Sequence, residues 1–470
     1  MTNCTTNIRI KEISLSENDL LQIKKKISQL DWGVLLESAS PDHIDSRWSI
    51  YSAFPIITLQ TYGTKTKVEQ SGKHRSYQTD PFSLIESLRI KLYGDEINES
   101  VPFSGGALGY MAYELGYQLE QINNADQPQG LNLPDLAIGF YDWALLFDRQ
   151  SNKYFIVVNN TNSEEISTLA LMEKRTQWLL QQTTQHSTTQ PFTLTSEWLS
   201  NMNEASYHQK FGKIQDYILN GDCYQINLTQ RFEAQYQGDE YQAYQALLTT
   251  NAPPFAAYLR LPHQVILSLS PERFIKLNKG VVESKPIKGT RPRYTDPIQD
   301  KESQDELIAS SKDRAENLMI VDLLRNDIGR VCQSGTVKVP KLFDIESFPA
   351  VHHLVSTVIG QLAPNKSSEM LLKACFPGGS ITGAPKIRAM EIIGQLEPNQ
   401  RQVYCGSIGY INHNGELDMN IGIRTLVCHQ GNIYCWAGGG LVADSDPHQE
   451  YQECFDKVSK ILPCLKALNK

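Results

Sequence analysis

The sequence predicts a mixed α and β protein, and three observations carry that reading. At 470 residues the chain exceeds what one simple core usually organises, so two domains or one large layered sheet structure is expected. Up to residue 160, short β-like runs alternate with turn-rich connections, a strand-heavy pattern. Beyond it, helical periods and strand-like runs take turns.

The elements follow in order. "WSIYSAFPIITLQTYG" (Trp48 to Gly63) and "AIGFYDWALLFDR" (Ala137 to Arg149) read as strands, and "KYFIVVNN" (Lys153 to Asn160) as a buried one. A helical period runs from Glu164 to Leu180. The polar, low-complexity "QQTTQHSTTQ" (Gln181 to Gln190) then marks a boundary between an N-terminal strand-rich domain, 1–190, and a second domain, 191–470. In "SYHQKFGKIQDYILNGD" (Ser206 to Asp222), Tyr207, Phe211, Ile214, Tyr217 and Ile218 fall at helical spacing, and Gly221 stops the helix. Gln264 to Thr290 reads as strands broken at Ser270-Pro271 and turned at Asn278-Lys279-Gly280, which leaves Lys288 at a strand end beside a glycine. Asp313 to Val331 is helical. The last helix opens with Asp446 as N-cap, Pro447 in the first helical position and Gln449 completing a capping-box pattern.

Composition narrows the function. Charged residues make up 20% and hydrophobic ones 40%, ordinary globular usage. No window approaches the roughly 20 apolar residues needed to cross a bilayer, and the N-terminal stretch lacks the apolar core of a signal peptide. The nine cysteines are scattered, without a CxxC pair, which points to a reducing, cytoplasmic compartment. A formal charge of -8 argues against nucleic acid as a partner, so a local basic cluster would serve a small anion.

That cluster is "KPIKGTRPR" (Lys285 to Arg293). It is either a basic surface loop or the setting of a nucleophilic Lys288. In the second case Lys285, Arg291 and Arg293 would favour the unprotonated amine and hold an anionic substrate. Glu316 follows Lys312 by one helical turn, and Glu453 precedes Lys457 by one, spacings that suit surface ion pairs. If Glu316 and Glu453 converge instead, their oxygens suit Mg2+. "FPGGSITGAPK" (Phe376 to Lys386) lacks the lysine directly after the second glycine that a phosphate-binding P-loop needs. "AGGGLVADSDP" (Ala437 to Pro447) fails as a dinucleotide fingerprint, and its backbone N–H groups would better cradle a carboxylate. His353 in "VHHLVS" is either a hydrogen-bonded core residue or a catalyst.

Taken together, "GDCYQINLTQRF", "SPERF", "PIKGTRPR", "DRAENLMIVDLLRND", "HLVSTV", "FPGGSITGAPK", "YCGSIGY", "IGIRTL" and "GGGLVADSD" resemble the chorismate-utilising enzymes, and within them the component I family of aminodeoxychorismate synthases. The match covers nearly the whole chain and is strongest from Tyr207 to Lys457. It implies an α/β (α+β) fold, a large two-domain sandwich of mainly antiparallel sheets flanked by helices. In the related anthranilate synthase component I the lysine of "PIKGT" is normally alanine, so the resemblance puts the choice between the two activities on Lys288.

The resemblance further implies conversion of chorismate and ammonia to 4-amino-4-deoxychorismate, on the way to 4-aminobenzoate and folate. Lys288 would attack C2 of chorismate and Glu272 would protonate the departing 4-hydroxyl, with His353 a further active-site residue. Glu316 and Glu453 would hold Mg2+. Gly289, Thr290, Tyr404, Arg424, Gly438, Gly439, Gly440 and Lys457 would bind the substrate. Ser38, Asp45, Ser46, Arg47 and Trp48, with Pro254, Phe255 and Ala256, resemble a tryptophan-binding element, the alternative being an ordinary core around Leu35 and Leu36. Ammonia would come from a partner glutaminase, a glutamine amidotransferase forming a heterodimer, because Cys223 in "GDCYQ" lacks the second glycine of a glutaminase nucleophile and no length remains for that domain. Anthranilate synthase activity, and a silent tryptophan- or chorismate-binding regulator, are the alternatives.

Overall fold

The computed structural model describes residues 7–40, 43–93, 100–122, 130–162, 166–181, 190–348 and 351–469. Strands separated widely in sequence pair into two large antiparallel sheets. One runs Ile8–Ile13, Lys153–Asn159, Trp143–Asp148, Trp48–Ser52, Gly33–Glu37, Phe255–Leu261, Gln264–Ser270, Thr425–His429, Asn432–Leu441, Gln225–Gln237 and Thr193–Leu194. The other runs Ile287–Pro292, Val351–Gln361, Val281–Ser284, Arg273–Asn278, Leu417–Asn420, Ser407–Asn412, Gly106–Met111, Leu136–Tyr141, Ile57–Tyr62, Lys65–Gln70 and Lys73–Tyr77. With helices against them, these sheets form the expected α/β sandwich, and one continuous apolar core fills it. Both draw strands from either side of the boundary expected near residue 190; residues 182–189 of that connector lie outside the described residues.

Local chemistry accounts for the elements that frame the site. Every residue of Gln264–Ser270 is buried, which explains its apolar Val265, Ile266, Leu267 and Leu269, and each large side chain so buried contributes about 1.5–3 kcal/mol. Ile57–Tyr62 alternates buried and half-buried positions, as a strand with one face turned outward does. Lys279 and Gly280, at φ 50° and 77°, make the tight hairpin between Arg273–Asn278 and Val281–Ser284. The helix Glu204–Leu219 is capped by Asn203 and followed by Gly221 at φ 81°. Asp446 caps the helix Pro447–Val458 by accepting from the N–H groups of His448 and Gln449. The helix predicted over Asp313 to Val331 is observed as Ser311–Gly329. Among the described residues no helix is long and apolar enough to cross a membrane.

The two sheets meet across side chains such as Gln264, whose amide donates to Tyr110 Oη at 2.7 Å. Toward one end of the sandwich the strands Ile287–Pro292 and Asn432–Leu441, one from each sheet, face the helices Ser311–Gly329 and Pro447–Val458 across an open cavity.

Candidate active site

The cavity has a volume of ≈ 660 Å³, and its walls include Glu272, Lys288, Gly289, Thr290, Glu316, His353, Tyr404, Arg424, Gly438, Gly439, Gly440, Glu453 and Lys457. Residues spread over 186 sequence positions, from 272 to 457, therefore share one space.

Lys288 reaches the cavity because its strand is irregular. Pairing between Ile287–Pro292 and Val351–Gln361 shifts register between Ile287 and Thr290, and Gly289 sits in the bulge at φ +81°. A Cβ at Gly289 would come within 2.9 Å of Asp313 and Leu307, so only glycine serves there. Lys288 Nζ donates to the Ser380 carbonyl at 3.3 Å. Burial pulls its pKa below the usual lysine value against the opposing charges of Glu316 and Glu272, with Lys457 adding to the depression.

The cations adjacent in sequence do not supply that effect. Lys285 is paired with Asp45 at 3.1 Å and with Glu346, Arg291 with Asp313 at 3.2 Å, and Arg293 with Asp300 at 3.1 Å. Each has its own carboxylate partner and none adds to the depression, so the expectation that they favour the neutral amine is corrected: burial lowers the Lys288 pKa first, and Lys457, itself paired with Glu453, is the cation that adds to it.

Glu272 begins where Gln264–Ser270 ends and is buried at 5% exposure. Burial pushes its pKa up to about 7, although the Ser380 hydroxyl, donating to Oε1 at 2.9 Å, and the charge of Lys288 pull the other way. Ser380 thus touches both Lys288, through its carbonyl, and Glu272, through its hydroxyl. Sequence reasoning did not single it out. It lies in the "FPGGSITGAPK" segment, whose short helical turn Gly379–Ile381 directs backbone groups into the cavity.

His353 is buried, and its Nδ1 lies 2.9 Å from Thr290 Oγ1. Burial, reinforced by Arg424, drives its pKa down to about 3, so the ring is neutral at physiological pH. Arg424 is held in the left-handed region at φ 50°. Burial alone lowers its pKa, and among the described residues it makes no ion pair. A half-buried guanidinium that faces the cavity without a carboxylate partner is free to pair with an anion there. Tyr404 stacks on Trp436 with ring centroids 6.2 Å apart and an interplanar angle of 11°.

Opposite Lys288 stand three acids. Burial raises Glu316, opposed by Lys288 and Lys312. Burial also raises Glu450, whose carboxylate accepts from Ser445 Oγ at 2.7 Å. Glu453 ends lowered: burial pushes it up, and Lys457, paired with it one turn on, overcomes that push. The surface pair expected between Lys312 and Glu316 is replaced by Lys312 with Glu450 at 3.7 Å. Glu453 and Lys457 do pair as their spacing predicts, yet both line the cavity. The oxygens of Glu316, Glu450 and Glu453 are not all within 4.8 Å of one another, so the acids frame an opening rather than a closed cage. All-oxygen donors left open for waters and a substrate oxygen fit Mg2+.

The glycine run, whose N–H groups were expected to cradle a carboxylate, is a strand end. Gly438, Gly439 and Gly440 pair with Thr229, Leu228 and Asn227 on one side. On the other, pairing with Thr425–His429 ends at Cys435, so this backbone edge faces the cavity. Lys457 donates to the Gly438 carbonyl at 2.7 Å. A Cβ on Gly439 would sit 3.1 Å from Glu450 Oε2, in the mouth of the acidic group.

A second cavity of ≈ 380 Å³ lies at the N-terminal elements, with Ser38, Asp45, Arg47, Trp48, Pro254, Phe255 and Ala256 on its walls. Ser46 is not on its walls: its side chain is buried away from solvent. Leu35 is core, whereas Leu36 lines the space. Asp45 is clamped by Arg273 at 2.7 Å and by Lys285; burial pushes its pKa up, but the two cations prevail and hold it well below the carboxylate range.

The family described as chorismate binding enzyme matches residues 46–463. The chain is 49% identical to aminodeoxychorismate synthase component 1 of Escherichia coli (strain K12) over 94% of this chain and 95% of that protein. It is 34% identical to anthranilate synthase component 1 of Acetivibrio thermocellus over 95% and 92% of the two. The solved structure of anthranilate synthase component I from Streptococcus pneumoniae TIGR4 superposes with a TM-score of 0.79 at 28% identity, covering 90% of this chain and 93% of that one.

Proposed function

The chain belongs to the chorismate-binding enzymes, and from that premise we propose that it acts as an aminodeoxychorismate synthase component 1, replacing the 4-hydroxyl of chorismate by an amino group. The observation that carries the reading is Lys288: a half-buried lysine on the cavity wall, depressed in pKa, hydrogen-bonded to Ser380 and facing an acid of raised pKa. Arg424 receives one carboxylate of the diacid. The neutral imidazole of His353 and the Thr290 hydroxyl orient it by hydrogen bonds.

In the first step the neutral Lys288 amine forms a bond to C2. The ring double bonds shift, the C4–O bond breaks, and Glu272 gives its proton so that water leaves. A positioned acid of this kind contributes typically 10²–10⁴-fold. The adduct's ammonium proton returns to Glu272. Ammonia then bonds to C4, the double bonds shift back, and the C2–N bond breaks as Glu272 reprotonates the lysine nitrogen; the C4 ammonium so formed releases one proton, which restores Glu272 to its acid form. Water is the only other product, and covalent catalysis has divided one hard displacement into two.

Glu316 and Glu453, with Glu450 beside them, are the residues that would hold Mg2+. When bound, the ion would supply positive charge for a substrate carboxylate. Ammonia comes from a separate glutaminase subunit: Cys223 is buried, and burial pushes its thiol up to about 11, unlike a glutaminase nucleophile. The second cavity, with Trp48, Phe255 and Asp45 on its walls, takes tryptophan, and mass analysis of small molecules released on denaturation tests this. Eight free thiols among the described residues support the cytoplasm as its compartment.

The test is product identity. Purified chain with chorismate, ammonium and Mg2+ should form non-aromatic 4-amino-4-deoxychorismate. Fluorescent anthranilate would assign the other activity, and absence of turnover would assign a binding role.

A further inference from the structure

We propose that Glu204, His208 and His448 form a surface binding site for a divalent transition-metal ion of the zinc class, tying the helix Glu204–Leu219 to the first turn of Pro447–Val458. One ligand atom from each of the three lies within 4.8 Å of the others. Glu204 and His208 are one turn apart on one helix face, and His448 reaches them from the second helix. Glu204 Oε1 lies 2.9 Å from His448 Nδ1 and 3.8 Å from His208 Nε2.

A tetrahedral ion with ligands at about 2.0–2.1 Å sets those ligands roughly 3.3 Å apart. The two separations straddle that value, so small rotamer adjustments close the site. His208 Nε2 supplies an independent observation: it is shielded from solvent and has no hydrogen-bond partner. The exposed side chains of Glu204 and His448 leave an entry path and room for a water as fourth ligand. Two imidazoles and a carboxylate select a borderline ion such as Zn2+ or Co2+, whereas Mg2+ prefers oxygen alone. The group is thereby chemically distinct from Glu316, Glu450 and Glu453, although the helix it anchors carries two of those acids.

Co2+ titration of the metal-free chain, bearing no oligohistidine tag and in excess Mg2+, tests the site. The expected result is one equivalent with the visible absorption of tetrahedral Co2+, weakened tenfold or more in His208→Gln and in His448→Gln. Zn2+ should displace the Co2+, and X-ray absorption of the Zn2+ form should show imidazole nitrogens. Unchanged affinity in both variants, no binding at about 100 μM Co2+, or a sulfur-ligated ion would each overturn the proposal. Circular dichroism of the variants in chelator confirms that they are folded.

Discussion

The Ser380 hydroxyl donates to Glu272 Oε1 at 2.9 Å, while the carbonyl of the same residue accepts from Lys288 Nζ at 3.3 Å. One residue thereby sets the distance between proposed acid and proposed nucleophile, and it restrains the rise of the Glu272 pKa.

Ser380→Ala removes the hydroxyl and keeps the carbonyl. With that hydrogen bond gone, the Glu272 pKa rises further above about 7, and the alkaline limb of the kcat profile moves up. A charge-assisted bond of about 1.5–3 kcal/mol corresponds to a shift of about 1–2 pH units. A pH–rate series on parent and variant measures it, and an unmoved limb would separate Glu272 from the proton transfer.

Glu272→Gln trades activity for stability. The folded pKa of about 7 exceeds the unfolded value near 4.5, so the neutral form's contribution to stability is complete below pH 4.5 and is lost as pH rises through 7. Glutamine is neutral throughout. The variant should lose 10²–10⁴-fold in kcat, unfold at higher temperature than the parent above pH 7, and gain up to about 3 kcal/mol there. Below pH 4.5 the two melting curves should coincide.

Replacing Glu316 or Glu453 by Gln should shift the Mg2+ titration of activity to concentrations tenfold or more higher. Unchanged titrations would return both residues to a purely electrostatic role. Each substitution also removes a charge that favours protonated Lys288, so the acid limb of the rate profile should move to lower pH.

Lys285→Met tests the reassigned cations. It leaves Asp45 and Glu346 short of a partner, which lowers stability, yet the acid limb set by Lys288 should stay in place. A limb displaced by a full unit would restore the role expected from sequence proximity.

Motifs were legible where a side chain does the work. Lys288, Glu316 and Glu453 were named from residue type and spacing, Glu272 and Arg424 from the family resemblance, and one cavity contains all five. Strand periodicity found Lys153–Asn159 and the hairpin at Lys279-Gly280, because those depend on neighbours in the chain. Three features were not legible. Ser380 acts on the lysine through a carbonyl that any residue type possesses. Lys285, Arg291 and Arg293 find their carboxylates on Asp45, Glu346, Asp313 and Asp300, and sequence adjacency says nothing of those pairings. The run Gly438 to Gly440 has no strand periodicity of its own, and only its long-range pairing with Asn227 to Thr229 makes it a strand.

The most direct measurement is mass analysis of the peptide carrying Lys288 after incubation with chorismate and Mg2+, ammonia withheld. The account predicts a gain equal to chorismate less one water, confined to Lys288 and absent from Lys288→Ala. A gain on a different lysine, or an unmodified Lys288 in a chain that turns over once ammonium is added, would contradict it.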